Sequence, residues 1–219
     1  MENQFKEISN EVEKFINESL YENDKSKYLD KYYKGAQILL SSLHNKPKFM
    51  FIGINPGSGD VKEKGKNVHK LGLQEKLEYS YKYYNYYLAR NTRKLFELAN
   101  GYEYLENSVK TNQFFFATTK ETELYKFLSH FKDDKIYAKS KKWLDRIIEI
   151  VEPEIIICEG KSSFDRFIKD KNCEIISKDN VYYSTYNKIH IIGYKRIFSE
   201  IINIEKVAEK IKEVINVTL

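Results

Sequence analysis

The chain has 219 residues, with 37 Lys and Arg against 32 Asp and Glu, three prolines, nine glycines and two cysteines. That length is enough to bury one sizeable core, and no Ser/Gly-rich linker interrupts it, so a single domain over residues 1–219 is expected. No run reaches the roughly 18 apolar residues of a membrane span, the acidic amphipathic start is unlike a targeting peptide, and two cysteines are too few for a disulfide framework or a four-thiolate cluster.

Cytoplasmic localisation is therefore the expectation, with Cys158 read as a buried free thiol. The five excess positive charges permit a polyanionic partner without requiring one.

The pattern over residues 2–43 is helical. Phe5, Ile8, Val12, Phe15, Ile16 and Leu20 recur at three-to-four spacing, and Tyr28, Tyr32, Ile38 and Leu39 do so again after a break at Glu22-Asn23-Asp24. Residues 1–45 are thus read as an N-terminal helical layer. Pro47 ends that pattern, and the apolar run 48–54 reads as a strand buried on both faces. A Gly/Lys-rich loop is expected over 59–73, then a long helix over 79–98 with Tyr84, Leu88, Leu95 and Leu98 on one stripe.

Residues 113–118 read as a second strand, followed by helices over 121–131 and 138–151. Pro153 introduces a third strand, 154–158, and Lys161-Ser162-Ser163 opens a helix with a serine as its cap. Paired or consecutive strands within 181–193 turn at Asn187-Lys188, and an amphipathic helix over 199–217 closes the chain. Helices alternating with continuous apolar strands predict an α/β fold, three-layer α/β/α, with a central, mainly parallel sheet of about four strands. In such sheets ligands bind at the carboxyl ends of the strands. The loops at 53–60, 111–113 or 117–121, 159–163 and 193–199 are the places to look.

Gly53-Ile54-Asn55-Pro56-Gly57-Ser58-Gly59-Asp60 is the strongest local signal. Glycines let backbone approach a ligand, Pro56 stiffens the turn, and free amides of such a turn bind a carbonyl oxygen or phosphate. It lacks the Gly-Lys-Ser/Thr ending of a Walker A loop, and no helix follows at once as a dinucleotide fingerprint requires. Asn55 offers a carbonyl to hold a water and an amide to donate. Asp60 reads either as a stronger base or as a loop residue.

An apolar strand running into G-I-N-P-G resembles the first motif of the uracil-DNA glycosylase superfamily, above all its mismatch-specific branch. Lys110-Thr111-Asn112-Gln113 is similar to the second region of that family, Glu152 to Lys161 to its proline–strand–glycine element, and His190 to Arg196 lies where the family carries its DNA-penetrating loop. The likeness covers residues 46–216.

The resemblance implies a DNA glycosylase that flips a uracil or other altered pyrimidine out of DNA and hydrolyses its N-glycosidic bond. It implies a water-positioning role for Asn55, base reading by Asn112, and a pocket lined by Gly53, Ile54, Pro56, Gly57 and Ser58. Tyr194, Lys195, Arg196 and Ser199 would contact DNA, as duplex or single strand. Here the chain departs from the family: Gly193-Tyr194-Lys195-Arg196-Ile197-Phe198-Ser199 replaces a His-Pro-Ser or Asn-Pro-Ser ending.

Other readings stay open. Asn112 also reads as a strand-entry cap, and Lys195 and Arg196 as a solvated basic turn before a helix capped by Ser199. The run from Tyr79 to Tyr87 continues into Arg90, Arg93 and Lys94, with Tyr83, Tyr87, Arg90 and Lys94 on one face. It suits either base stacking or packing with a soluble rim. His190 lies within an apolar strand, His69 in a loop, and His44 and His130 at expected helix ends. No pair has metal-ligand spacing with a carboxylate, so no metal is expected; no cofactor and a monomer are separate expectations. A non-catalytic module binding nucleic acid or a modified base is the alternative function. An unrelated α/β enzyme holding a phosphorylated small molecule at residues 53–60 is a third.

Overall fold

A computed structural model of the chain describes residues 1–21, 31–57, 62–63, 66–75, 86–131 and 135–218. Two compact units share the chain: Met1–Leu39 with Ile54–Leu73 and Thr111–Val151, and Leu40–Gly53 with Gln74–Lys110 and Glu152–Leu219.

In the first unit, helix α1 (Glu2–Ile16) continues through a π turn, Asn17–Tyr21. Its buried stripe is the one its periodicity predicts: Phe5, Ile8, Val12, Phe15 and Ile16. Phe15 packs against Phe116, Phe131 and Trp143 at ring distances of 5.8, 6.0 and 5.9 Å. The second N-terminal helix is a misreading as far as the described residues go. Strand β1 (Gly35–Gln37) begins at Gly35, whose φ of +124° no helix accommodates, and pairs in parallel with β4 (Lys66–Lys70). The expected loop over 59–73 therefore contains a strand, and β4 also pairs antiparallel with β3 (Lys62–Glu63).

The central sheet has six strands rather than about four. β2 (Phe49–Gly53), β5 (Val109–Asn112), β6 (Ile155–Cys158), β7 (Ile176–Lys178), β8 (Val181–Tyr186) and β9 (Ile189–Tyr194) lie in the order β5-β2-β6-β9-β8-β7. β2, β6 and β9 pair in parallel, while β8 and β7 extend the sheet antiparallel. Asn187 and Lys188 turn the β8–β9 hairpin with φ of 50° and 67°, at the place the sequence predicts.

The strand expected over 113–118 instead falls at Val109–Asn112, whose four residues are all buried. Phe114, Phe115 and Phe116 are buried without forming a strand. Their segment satisfies its backbone piecemeal, with Gln37 N–H donating to Phe115 O at 2.8 Å and Ala117 N–H to Gly35 O at 2.8 Å.

Helix α2 (Tyr87–Leu98) buries Ala89, Thr92, Leu95 and Phe96; of the expected stripe Leu95 is buried and Leu98 exposed, while the expected helix start over 79–85, with Tyr83 and Tyr84, lies outside the described residues. Helices α3 (Glu121–Ser129) and α4 (Ile136–Val151) follow the predicted pattern. α5 (Lys161–Ile168) starts at Gly160 with φ +114° and has no serine cap; Ser163 Oγ instead donates to Ile52 O at 2.7 Å.

α6 (Ile204–Val217) begins after Asn203, which is left-handed, and not at Ser199. A small hairpin, β10 (Arg196–Ile197) and β11 (Glu200–Ile201), occupies the intervening residues. α2 and α6 cover the sheet face bearing Phe49, Phe51, Ile155, Ile157, Ile192 and Tyr194. α5 covers the other face, where a Cβ on Gly193 would stand 2.5 Å from Phe164 Cβ. Burial on both faces is why β2 and β6 are continuous apolar runs. No helix among the described residues is long and apolar enough to cross a membrane.

Candidate functional site

β2 delivers the chain to Ile54 and Asn55 at its carboxyl end, the usual ligand side of a parallel sheet. In the first unit Ile54 O accepts from Phe114 N–H at 2.9 Å, fastening the turn to the segment after Asn112. Asn55 Nδ2 then donates to Pro56 O at 3.1 Å, Phe116 O at 3.2 Å and Thr118 Oγ1 at 3.0 Å. Thr118 gives its own hydrogen to Lys120 O at 2.8 Å, so its oxygen acts as acceptor.

Two of the three partners are carbonyls, which only accept. The NH2 group must face them, and the amide orientation is thereby fixed. Oδ1 is left turned away, with no donor bonded to it among the described residues, on a half-buried side chain. A site with this geometry presents one fixed acceptor to a water or substrate hydrogen.

Asn112 belongs to the same unit. It is 3% exposed, and its Nδ2 is a buried donor with no hydrogen-bond partner among the described residues. A buried amide left so costs about 1–3 kcal/mol unless something accepts from it. Its strand is the last regular element before the Phe114–Thr118 segment that anchors Asn55, so the two amides are joined by one short stretch of chain. Gln37, also in this unit, has a buried unpartnered Oε1. At Gly57 a Cβ would meet nothing within 4 Å, so the turn is open there. Ser58 and Asp60 lie outside the described residues.

The second unit holds the other expected contacts. Tyr194 is fully buried, which corrects its reading as a residue that meets DNA. As the last residue of β9 it points into the core beneath α2 and α6. Burial, then Glu159, pushes its hydroxyl well above the usual tyrosine range, against the opposing pull of Arg196 and Lys110. That hydroxyl has no hydrogen-bond partner among the described residues.

Lys195 is exposed, and half-buried Arg196 lies across Gly160, its Nε 3.2 Å from where a Cβ would sit. The glycine is required there by its φ and by this contact. Ser199 caps no helix; its carbonyl accepts from Asn91 Nδ2 at 2.6 Å. The exposed aromatic of this turn is Phe198, 94% exposed and held at φ 54°.

No protein-family model and no curated protein matches this chain.

Two residues passed over in the sequence meet in the second unit, Lys110 within β5 and Glu159 just after β6. Lys110 and Glu159 form an ion pair at 3.2 Å with side chains only 4% and 3% exposed. Each lies within a stretch singled out for other reasons, yet nothing in the pattern links residues 49 apart. Phe198 is the third miss. An aromatic in a basic turn is visible in the sequence, but which aromatic faces water is not.

Proposed function

We propose that this protein is a DNA base-excision glycosylase that hydrolyses the N-glycosidic bond of uracil or another altered pyrimidine. The carrying observation is the Asn55 amide, fastened through its nitrogen at three points with Oδ1 presented as acceptor. The unpartnered buried Nδ2 of Asn112 in the same unit supports it. The six-stranded mixed α/β sheet, with α5 on one face and α2 and α6 on the other, supports the three-layer fold that the uracil-DNA glycosylase resemblance implies.

In this reading the target nucleotide leaves the stack and its base enters the site beside Asn112. Asn112 Nδ2 donates to a ring carbonyl oxygen, an interaction that strengthens as the base departs with the bonding electron pair. Asn55 Oδ1 accepts one hydrogen of a water and aims its lone pair at the sugar's anomeric carbon. The water oxygen bonds that carbon as the C–N bond breaks, and the water's proton passes to solvent or the departing base. An amide is a poor base, so Asn55 contributes position rather than proton transfer, and turnover is slow. Lys195 and Arg196 hold phosphates. Phe198 takes the place expected of Tyr194 as the aromatic side chain that contacts DNA; an exposed ring on a left-handed residue does nothing for folding.

The test is single-turnover cleavage of labelled oligonucleotides bearing uracil, mismatched and modified bases. Abasic-site formation lost in Asn55→Ala and reduced in Asn112→Ala supports the proposal. No product on any base refutes it. The second reading, a non-catalytic module binding nucleic acid or a modified base, is favoured by one feature: no described carboxylate or imidazole bonds to either amide. Tight, salt-sensitive DNA binding without product selects it.

A further inference from the structure

Helix α2 opens with cations and no acid. Arg90, Arg93 and Lys94 stand in its first two turns, and Glu97, its sole carboxylate, is in the last. The macrodipole already makes that end positive, so Arg90, in the first turn, works against folding by a few tenths of a kcal/mol. Arg90 and Lys94 form no ion pair with any described residue. Arg90 instead lies over the ring of Tyr87, its guanidinium carbon 4.5 Å from the ring centroid. Tyr87 is 68% exposed. A ring so open adds little to the core, and a planar cation laid against it forms a flat, charged surface facing water.

Tyr87, Arg90, Asn91 and Lys94 recur at three-, four- and seven-residue steps and so share one face of the helix. Asn91, in the middle of that face, donates to Ser199 O and so ties it to the β10–β11 turn. The residue before Ser199 is Phe198, and Lys195 stands exposed at the base of the same turn. Two exposed aromatics and three cations thus flank a single hydrogen bond within one unit.

We infer that this face of α2, with the Lys195–Ser199 turn, binds single-stranded DNA, an unpaired base stacking on Tyr87 while Arg90 and Lys94 take neighbouring phosphates. Unpaired bases offer the open faces that such rings bind, whereas a duplex hides them. An acidic peptide would use the cations and leave both rings in water. The inference concerns where a strand is held and stands apart from whether the protein cleaves a glycosidic bond.

Fluorescence anisotropy of a labelled 15-nucleotide thymidine strand, with the full chain and a salt series, tests it. Tyr87→Ala is expected to weaken binding about tenfold and Tyr87→Trp to retain it, with circular dichroism unchanged because the site is exposed. Arg90→Gln is expected to flatten the plot of log affinity against log salt by about 0.7. Affinity indifferent to Tyr87→Ala and Arg90→Gln overturns the inference, as does tighter binding of a poly-glutamate peptide at the same salt. Asn55→Ala is carried alongside and is expected to keep strand binding; binding by the parent chain with no cleavage of any base counts against the glycosylase reading alone.

Discussion

Asn55→Asp is the most searching perturbation of the site, because it exchanges one NH2 for one oxygen and leaves the shape unchanged. That NH2 faces two carbonyl oxygens, at 3.1 and 3.2 Å, and a hydroxyl oxygen at 3.0 Å whose hydrogen is committed elsewhere. Each bond contributes a net of about 0.5–1.5 kcal/mol, and replacing the donor turns attraction into repulsion. Loss of about 2–4 kcal/mol at neutral pH follows.

The introduced carboxyl escapes part of this by keeping its proton and donating to one carbonyl, so its pKa in the folded state rises above the unfolded value of about 3.9. The unfolded chain then releases that proton first, and stability relative to the parent falls as pH rises from about 4 through the folded value. Urea unfolding of variant and parent at pH 4 and pH 7.5 measures the difference directly. A deficit that is equal at the two pH values, or none at pH 7.5, refutes the anchoring described for Asn55.

Gly193→Ala is expected to cost about 3 kcal/mol or more, since its Cβ would stand 2.5 Å from Phe164 Cβ, and a thermal melt reads the loss. Glu159→Gln should cost about 3–5 kcal/mol by breaking an ion pair nearly closed to water, whereas Lys110→Met with Glu159→Leu should lie near the parent in urea unfolding. Phe198→Asn should leave stability unchanged or raise it by about 1 kcal/mol, as asparagine tolerates the left-handed φ of 54°, while weakening DNA affinity in a binding titration. Burial raises the Glu11 carboxyl, but hydrogen bonds from Arg146 and Trp143 outweigh it and hold its pKa below the ordinary value. The contribution is present above the unfolded pKa and lost as pH falls through the folded one, so Glu11→Gln should narrow the gap between neutral and acidic stability in urea unfolding.

What the sequence by itself determined is whatever a local period or a local turn encodes. β2 and β6 are legible because strands covered on both faces need unbroken apolar runs. α1, α3 and α4 are legible because one face of each is apolar at helical spacing, and the β8–β9 turn because Asn187-Lys188 suits two left-handed residues. The end of β2 at Gly53 is legible for the same reason.

Tertiary structure decided the rest. β5 reads as polar, yet it is buried, and its lysine is admitted to the interior by a carboxylate 49 residues away. The Phe114–Phe116 run looks like a strand and is instead a buried connection paired with β1 and Ile54. The orientation of Asn55 is set by acceptors 61 and 63 residues distant. Tyr194 and Phe198, four residues apart, differ in burial by nearly their whole surface because one ends a covered strand and the other crowns a hairpin. Periodicity records which face of an element is apolar; which partner covers that face, and which polar group is thereby left facing a site, depends on contacts between residues far apart in the chain.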